Sequence, residues 1–336
     1  MKKLATPLKL FFTAGILYFL YVKGLLDISR VHGVVLQPFV FVSALGLLLL
    51  AQVFGILRWW WLLKGQGFDL AIWDCARLTM IGTFFNTAIP GAVSGDLVKG
   101  YYIVKRQPNG RGKTKALATL LLDRILGLGG LITISFAALI LNFNTVYSNA
   151  SLHPLAVIIT PLFLGLLFFY FVVLVRFEIP QAVFTFINRL PGGNHITKLF
   201  ESLKVYQNCR GYFLRGVGLS LVIHCMVVSI IVLMARQLGG FELVPFNQFC
   251  FLVPFGMLVT AIPVAPAGMG TGHAAFLGLF RLVGAQGGAD LFMAFVSFQI
   301  MVSLIGGIFY IRHKQETDAL DHEAQAQEAV GDPIVS

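Results

Sequence analysis

The sequence predicts an all-α polytopic membrane protein of about six spanning helices, with two further re-entrant or broken helical segments. Three observations carry that reading. Hydrophobic residues fill 57% of the 336 positions and charged residues only 12%, with a mean hydropathy of +0.82, whereas soluble domains carry roughly 25% charge. Apolar runs of bilayer length recur along the chain, a spanning helix needing about 20 such residues. The connections between runs alternate between base-rich and uncharged, as loops on opposite membrane faces do.

The first run, Leu8–Leu26, follows Met1-Lys2-Lys3 and imitates a signal peptide, but no small-x-small cleavage pattern follows it, so it reads as an uncleaved first helix. Pro38–Leu57 is the second, and Arg58-Trp59-Trp60-Trp61 after it resembles an interfacial aromatic belt with a cytoplasmic base. The third, Ala116–Leu141, is interrupted by Asp123 and Arg124; Pro154–Val175, Gly216–Ala235 and Leu291–Ile311 complete the set. Lys99–Lys115 carries six bases and no acid, Asn142–His153 carries no charge, and Arg176–Arg215 holds six bases against two acids. Placing the basic connections inside threads all six helices consistently and leaves both termini cytoplasmic.

Two stretches fit no straight helix. Ile72–Gly95 contains Asp74, Arg77 and a Pro90-Gly91 break, and Leu243–Gly272 is uncharged but interrupted by Pro245, Pro254, Pro263, Pro266, Gly268, Gly270 and Gly272. Proline removes a backbone donor and glycine loosens a helix, and a membrane tolerates broken backbone only where protein or water satisfies it. Thr87-Ala88-Ile89-Pro90 recurs as Thr260-Ala261-Ile262-Pro263, and the loop charges have the two segments entering from opposite sides. That is the pattern of an inverted repeat, with halves at roughly 38–141 and 212–311, and such repeats place a site between two discontinuous helices. The alternative is a pair of ordinary kinked helices.

Residues 1–314 then form one transmembrane domain. Six of the fifteen acids lie after Gln315, where no Lys or Arg occurs, so 315–336 reads as an acidic, disordered cytoplasmic tail, with a short helix as the alternative. The remaining excess of bases sits in short clusters beside apolar runs, which suits anionic lipid headgroups and excludes nucleic acid as a partner, since no soluble basic segment exists to hold it. Cys75, Cys209, Cys225 and Cys250 show no CxxC pairing or metal-ligand spacing; neither a metal nor a cofactor is expected.

Ionisable groups at membrane depth are functional candidates because each costs several kcal/mol unless paired or solvated. Asp96 and Lys99 share one face of a helix starting near Ser94; they are either a first-turn acid neutralised by lysine or part of a binding site. Gly91 and Gly95 let backbone amides approach an anionic group at that helix start. Asp123-Arg124 lies about five positions into the third span and is either functional or a buried structural pair. Gly268, Gly270 and Gly272 mirror the first turn without its acid, and His273 beside them is either a titrating group or a hydrogen-bonded structural residue. No nucleophile–base set, metal cluster or phosphate loop is present in the sequence.

Taken together, Asn86-Thr87-Ala88-Ile89-Pro90-Gly91, Gly95-Asp96-Leu97-Val98-Lys99, Asp123-Arg124-Ile125-Leu126-Gly127-Leu128 and the Pro263-to-Gly270 turn resemble the flippase-like transmembrane domain of lysylphosphatidylglycerol synthases and its stand-alone relatives. The resemblance implies a bacterial or archaeal cytoplasmic-membrane protein with paired re-entrant segments that moves a phospholipid or lipid-linked molecule between leaflets. Asn86, Pro90, Gly91, Gly95, Asp96, Lys99, Asp123, Arg124, Pro263, Gly268, Gly270 and His273 are the implied substrate-binding positions. Many relatives carry a glutamate after the late glycine turn, where this chain has Thr271-Gly272-His273, and nothing after Gln315 matches the aminoacyl transferase domain of the fused synthases.

The leading expectation is therefore a lipid transporter without an ATP motif, not an enzyme, its headgroup held between the two broken segments. A membrane enzyme on a lipid-linked substrate is the alternative, with only Asp96 and His273 to serve it. A non-catalytic scaffold recruiting partners through its basic loops is the third. The sequence is compatible with a homodimer as with a monomer.

Overall fold

The computed structural model describes residues 18, 21–22, 27–88, 94–105, 112–175, 193–262 and 266–330. Among them there is no strand. The helices are α1 (Ile28–Val35), α2 (Pro38–Gly65), α3 (Ile72–Ala88), α4 (Ser94–Lys105), α5 (Lys113–Leu141), α6 (Phe143–Ser148), α7 (His153–Leu174), α8 (Gly193–Lys204), α9 (Arg210–Leu238), α10 (Phe246–Thr260), α11 (Thr271–Arg281) and α12 (Gly288–Val330). Five segments, α2, α5, α7 with the turn before it, α9 and the first part of α12 to Arg312, are long and apolar enough to cross a membrane. The protein is thus an all-α, multi-pass membrane protein. The expected first span, Leu8–Leu26, lies almost wholly outside the described residues.

Local chemistry sets the helix ends. Pro38 opens α2 at a position that needs no amide donor, and Gln37 caps it by accepting from the Val40 amide at 2.6 Å. Asp27 caps α1 through the amides of Ser29 and Arg30, and these bonds, that from the Ser29 hydroxyl foremost, hold its carboxyl below the ordinary carboxylate value. At the far end, α2 runs to Gly65, past Leu57 where the sequence reading stopped it. The tryptophans explain the extension. Trp59 is 0% exposed, Trp60 Nε1 donates to the Leu70 carbonyl at 2.9 Å, and Arg215 lies over the Trp61 ring. Trp59 serves internal packing, while Trp60 and Trp61 stay partly exposed.

The helix breaks fall where proline and glycine put them. The residue before proline is steered away from the α region, and α3 stops at Ala88 just before Ile89-Pro90 as α10 stops at Thr260 just before Ala261-Ile262-Pro263. α3 has 17 residues and α10 has 15, each short of the roughly 20 needed to span. Pro90, Gly91 and Pro263 themselves lie outside the described residues. After the second break, Pro266–Gly268 forms a 3-10 turn in which Ala267 takes φ 49°.

The two halves pack reciprocally. α3 of the first broken pair lies against α12, α10 of the second lies against α5, and the opening helices α2 and α9 share the most extensive contact. α2 and α9 run antiparallel. Arg58, late in α2, reaches Ser220, early in α9, while Arg30, just before α2, donates to the Leu238 carbonyl at the end of α9 at 2.9 Å. With no hydrophobic force between helices inside lipid, such contacts depend on small residues that let backbones close in. At Gly306, for example, a Cβ would strike the Met80 carbonyl.

The last helix continues to Val330, so the backbone of 315–330 is helical where the sequence reading expected disorder. Its alanine, glutamate and glutamine content favours helix, and extending a formed helix avoids the nucleation cost.

Candidate functional site

A cavity of about 1250 Å³ opens between α4 and α5, with Arg58 of α2, Asn86 of α3 and Ala261 at the end of α10 also lining it. The fold-back of α4 onto α3 creates it. Gly82 and Gly95 touch backbone to backbone at that crossing; a Cβ on Gly95 would overlap the Gly82 carbonyl. Asn86 Oδ1 accepts from the Gly95 amide at 2.8 Å, and Ser94 Oγ donates to the Phe85 carbonyl at 2.9 Å. These bonds satisfy one orphan group at each helix end, the Gly95 amide and the Phe85 carbonyl, and place Asp96 in the first turn of α4, facing α5.

Two ion clusters follow. The guanidinium of Arg124 donates through Nε to Asp96 Oδ2, and Lys99 Nζ lies 3.6 Å from Asp96 Oδ1. Lys99 is held from its other side by the Trp59 ring, 4.3 Å from its ammonium, a contact strengthened by the burial of both groups. In the second cluster, Arg58 Nε donates to Asp123 Oδ1 at 2.7 Å and Nη1 to Ser220 Oγ at 2.9 Å.

Asp123 and Arg124, adjacent in sequence, therefore do not pair with each other. Successive helix residues point about 100° apart, so one turns to α2 and the other to α4. Nor are they five positions deep. α5 begins at Lys113, ten residues before Asp123, which puts the clusters about 15 Å along the helix.

The cavity's outer wall is apolar. Leu97 (65% exposed) and Tyr101 (62%) of α4, and Leu117 (57%) and Leu121 (40%) of α5, line it while facing outward. Each pair is one helical turn apart, so the charged interior is bordered by a greasy lateral opening. Lys105, at the end of α4, and Lys113, at the start of α5, lie at one end of the cavity.

Among the expected binding positions, Asn86, Asp96, Lys99, Asp123 and Arg124 line this one cavity, with Gly95 shaping its wall. Gly268, Gly270 and His273 are not brought to it. His273 is 0% exposed; its Nδ1 accepts from the Gly270 amide at 3.2 Å, its Nε2 lies 3.3 Å from Met293 Sδ, and its ring meets Phe292 edge-on. It caps α11 and packs the core. Arg58 is the residue that sequence reasoning missed. It looked like a flanking base, yet the apolar run continues through Leu63, and the tolerance of charge that admitted the third span would have admitted it here too.

Fold and cavity together describe a multi-pass helical membrane protein with a charged cavity bordered by outward-facing apolar side chains. The chain belongs to the lysylphosphatidylglycerol synthase transmembrane-region family, whose model matches residues 8–307. No curated protein and no solved structure matches it.

Proposed function

We propose that the protein translocates a phospholipid or lipid-linked molecule across a bacterial or archaeal cytoplasmic membrane, with both termini on the cytoplasmic side. The observation that carries this reading is the union of the Asp96–Arg124–Lys99 cluster, its Asp96 and Lys99 buried, with the outward-facing Leu97, Tyr101, Leu117 and Leu121 in one cavity. A headgroup would sit against the charges while acyl chains stay in lipid, so neither part is transferred into the wrong solvent.

The two broken pairs act on this reading as re-entrant segments around a midplane site, as in transporters with inverted repeats. Ala261, in the repeated Thr-Ala-Ile-Pro element, brings the second pair to the cavity's edge. Without a nucleotide motif in the sequence, movement on this reading is downhill or ion-coupled. We propose no covalent chemistry, since the two groups an enzyme would enlist, Asp96 and His273, lie in separate environments.

Leaflet exchange of fluorescent phospholipids in vesicles containing the purified chain tests the proposal. The expected result is exchange well above that of empty vesicles for at least one headgroup, lost in Arg124→Ala. Equal rates in empty and loaded vesicles for every headgroup would contradict it.

A further inference from the structure

We infer that the protein carries a second, separate site at the opposite end of its helices, where Arg30 and Arg281 hold the phosphate group of a small soluble anion. This site stands whether or not the translocation reading holds. A cavity of about 330 Å³ lies there, lined by Arg30, Arg281, Gln286, Gly287 and Asp290 among others. Arg30 reaches the Leu238 carbonyl at the end of α9, whereas Arg58 of the first cavity reaches Ser220 near its start. The two contacts are about 27 Å apart along that helix. On the topology proposed above, the second cavity is extracytoplasmic.

The fold fixes one arginine and leaves the other unengaged. Asp290, in the first turn of α12, accepts from the Asp27 amide through Oδ1 at 2.7 Å and faces Arg30 Nη1 through Oδ2 at 3.3 Å. Arg30 Nη2 donates to the carbonyls of Leu238 and Gly239 at 2.9 and 3.2 Å. Its Nε–H has no acceptor among the described residues. Arg281 closes α11, where the helix dipole favours a cation, and its exposed guanidinium forms no hydrogen bond or ion pair with a described residue. Between α11 and α12, the amides of Gln286 and Gly287 likewise have no acceptor among the described residues. Gly287 takes φ 87°, a conformation that disfavours a side chain, so the turn brings bare backbone up to the Arg30 guanidinium.

The nearby acids are spent on other groups. Asp27 accepts from the Ser29 amide and Glu242 from the Gly240 amide, and residues 1–26 contain no Asp or Glu. Two guanidiniums on one small cavity repel each other unless an anion lies between them. Phosphate suits them, because its oxygens match the planar fork of arginine and accept strong charge-assisted bonds. The volume is at the low end of ligand pockets, which run from about 300 to 1,000 Å³. It admits a phosphate with a small polar substituent and is too small for acyl chains.

Isothermal titration calorimetry of the purified full chain in neutral detergent tests this, with inorganic phosphate and glycerol phosphate as probes. The expected result is one saturable binding event, weakened about tenfold or more in Arg281→Gln and unchanged in Arg124→Ala. Arg281 is exposed, so the ligand-free melting temperature of Arg281→Gln should match the parent chain, which separates lost binding from lost fold. Absence of saturable binding, parent-like affinity in Arg281→Gln, or loss of binding in Arg124→Ala would each overturn the inference, the last by moving the anion to the first cavity.

Phosphatidic acid in the same detergent supplies the lipid arm. Failure to displace glycerol phosphate at equal concentration supports a soluble ligand, and displacement that depends on Arg281 overturns that part of the inference. Leaflet exchange is expected to be the same in Arg281→Gln as in the parent chain. Its loss would overturn the separateness of the two sites, whereas absence of exchange in every chain sinks translocation alone.

Discussion

The two broken-helix pairs share a backbone plan and differ in nearly everything their side chains do. Around the first, α3 and α4 enclose Asn86, Asp96 and Lys99 and open on a cavity completed by Arg58, Asp123 and Arg124. Around the second, α10 and α11 are packed with buried aromatics, Phe249, Phe276, Phe280 and Phe292, whose rings tilt against one another. Even the crossings diverge. Gly82 meets the Lys99 side chain and the Gly95 backbone, whereas Gly256 meets the Phe276 ring. The charged cavity thus lies at the first broken pair, and the second is filled by aromatic side chains.

The comparison can be broken most forcefully at the Arg58–Asp123 pair. Removing one partner of a buried ion pair leaves the other uncompensated, at a cost of about 3–5 kcal/mol. Arg58→Ala is expected to lower the melting temperature sharply and to abolish leaflet exchange. Replacing both, as Arg58→Met with Asp123→Leu, is expected to restore folding, read by size-exclusion profile and melting, without restoring exchange. Recovery of exchange in the double variant would make the pair structural only.

Asp96→Asn comes next. It frees Arg124 and Lys99 from their shared carboxylate while preserving shape, so exchange is expected to fall about tenfold, with stability lowered by about 2–3 kcal/mol, less than for Arg58→Ala because the asparagine can still accept a hydrogen bond. An unchanged rate would remove Asp96 from the site.

The smallest effect is expected in the second region, from Phe280→Leu. A reshaped aromatic core position costs about 1–2 kcal/mol, visible as a modest drop in melting temperature, while the headgroup order in exchange stays as in the parent chain. A reordered headgroup preference would mean that the second region also reads the ligand.

How far these regions could be read from sequence differs for a physical reason. Breaks are local: Ile89-Pro90 and Ile262-Pro263 stop their helices through sterics of neighbouring residues, and α3 begins at Ile72 where the first irregular stretch was expected to begin. The spans were legible for the same reason, by length and apolarity. Ion pairing is not local. Asp123 finds Arg58 and Asp96 finds Arg124 across helices 65 and 28 positions apart in sequence, and adjacency of Asp123 with Arg124 pointed the wrong way. The glycines of the late turn looked like a second binding loop, but His273 spends its Nδ1 on the Gly270 amide. An apolar sequence cannot tell a cavity from a plug, because both are built from the same leucines and phenylalanines.

The most direct test of the account is leaflet exchange in vesicles for Arg124→Ala beside His273→Gln, each normalised to folded protein. If function resides in the first region alone, Arg124→Ala loses most of the exchange and His273→Gln stays within about twofold of the parent chain, a difference below about 0.5 kcal/mol. The reverse outcome, His273→Gln inactive and Arg124→Ala unimpaired, would contradict it.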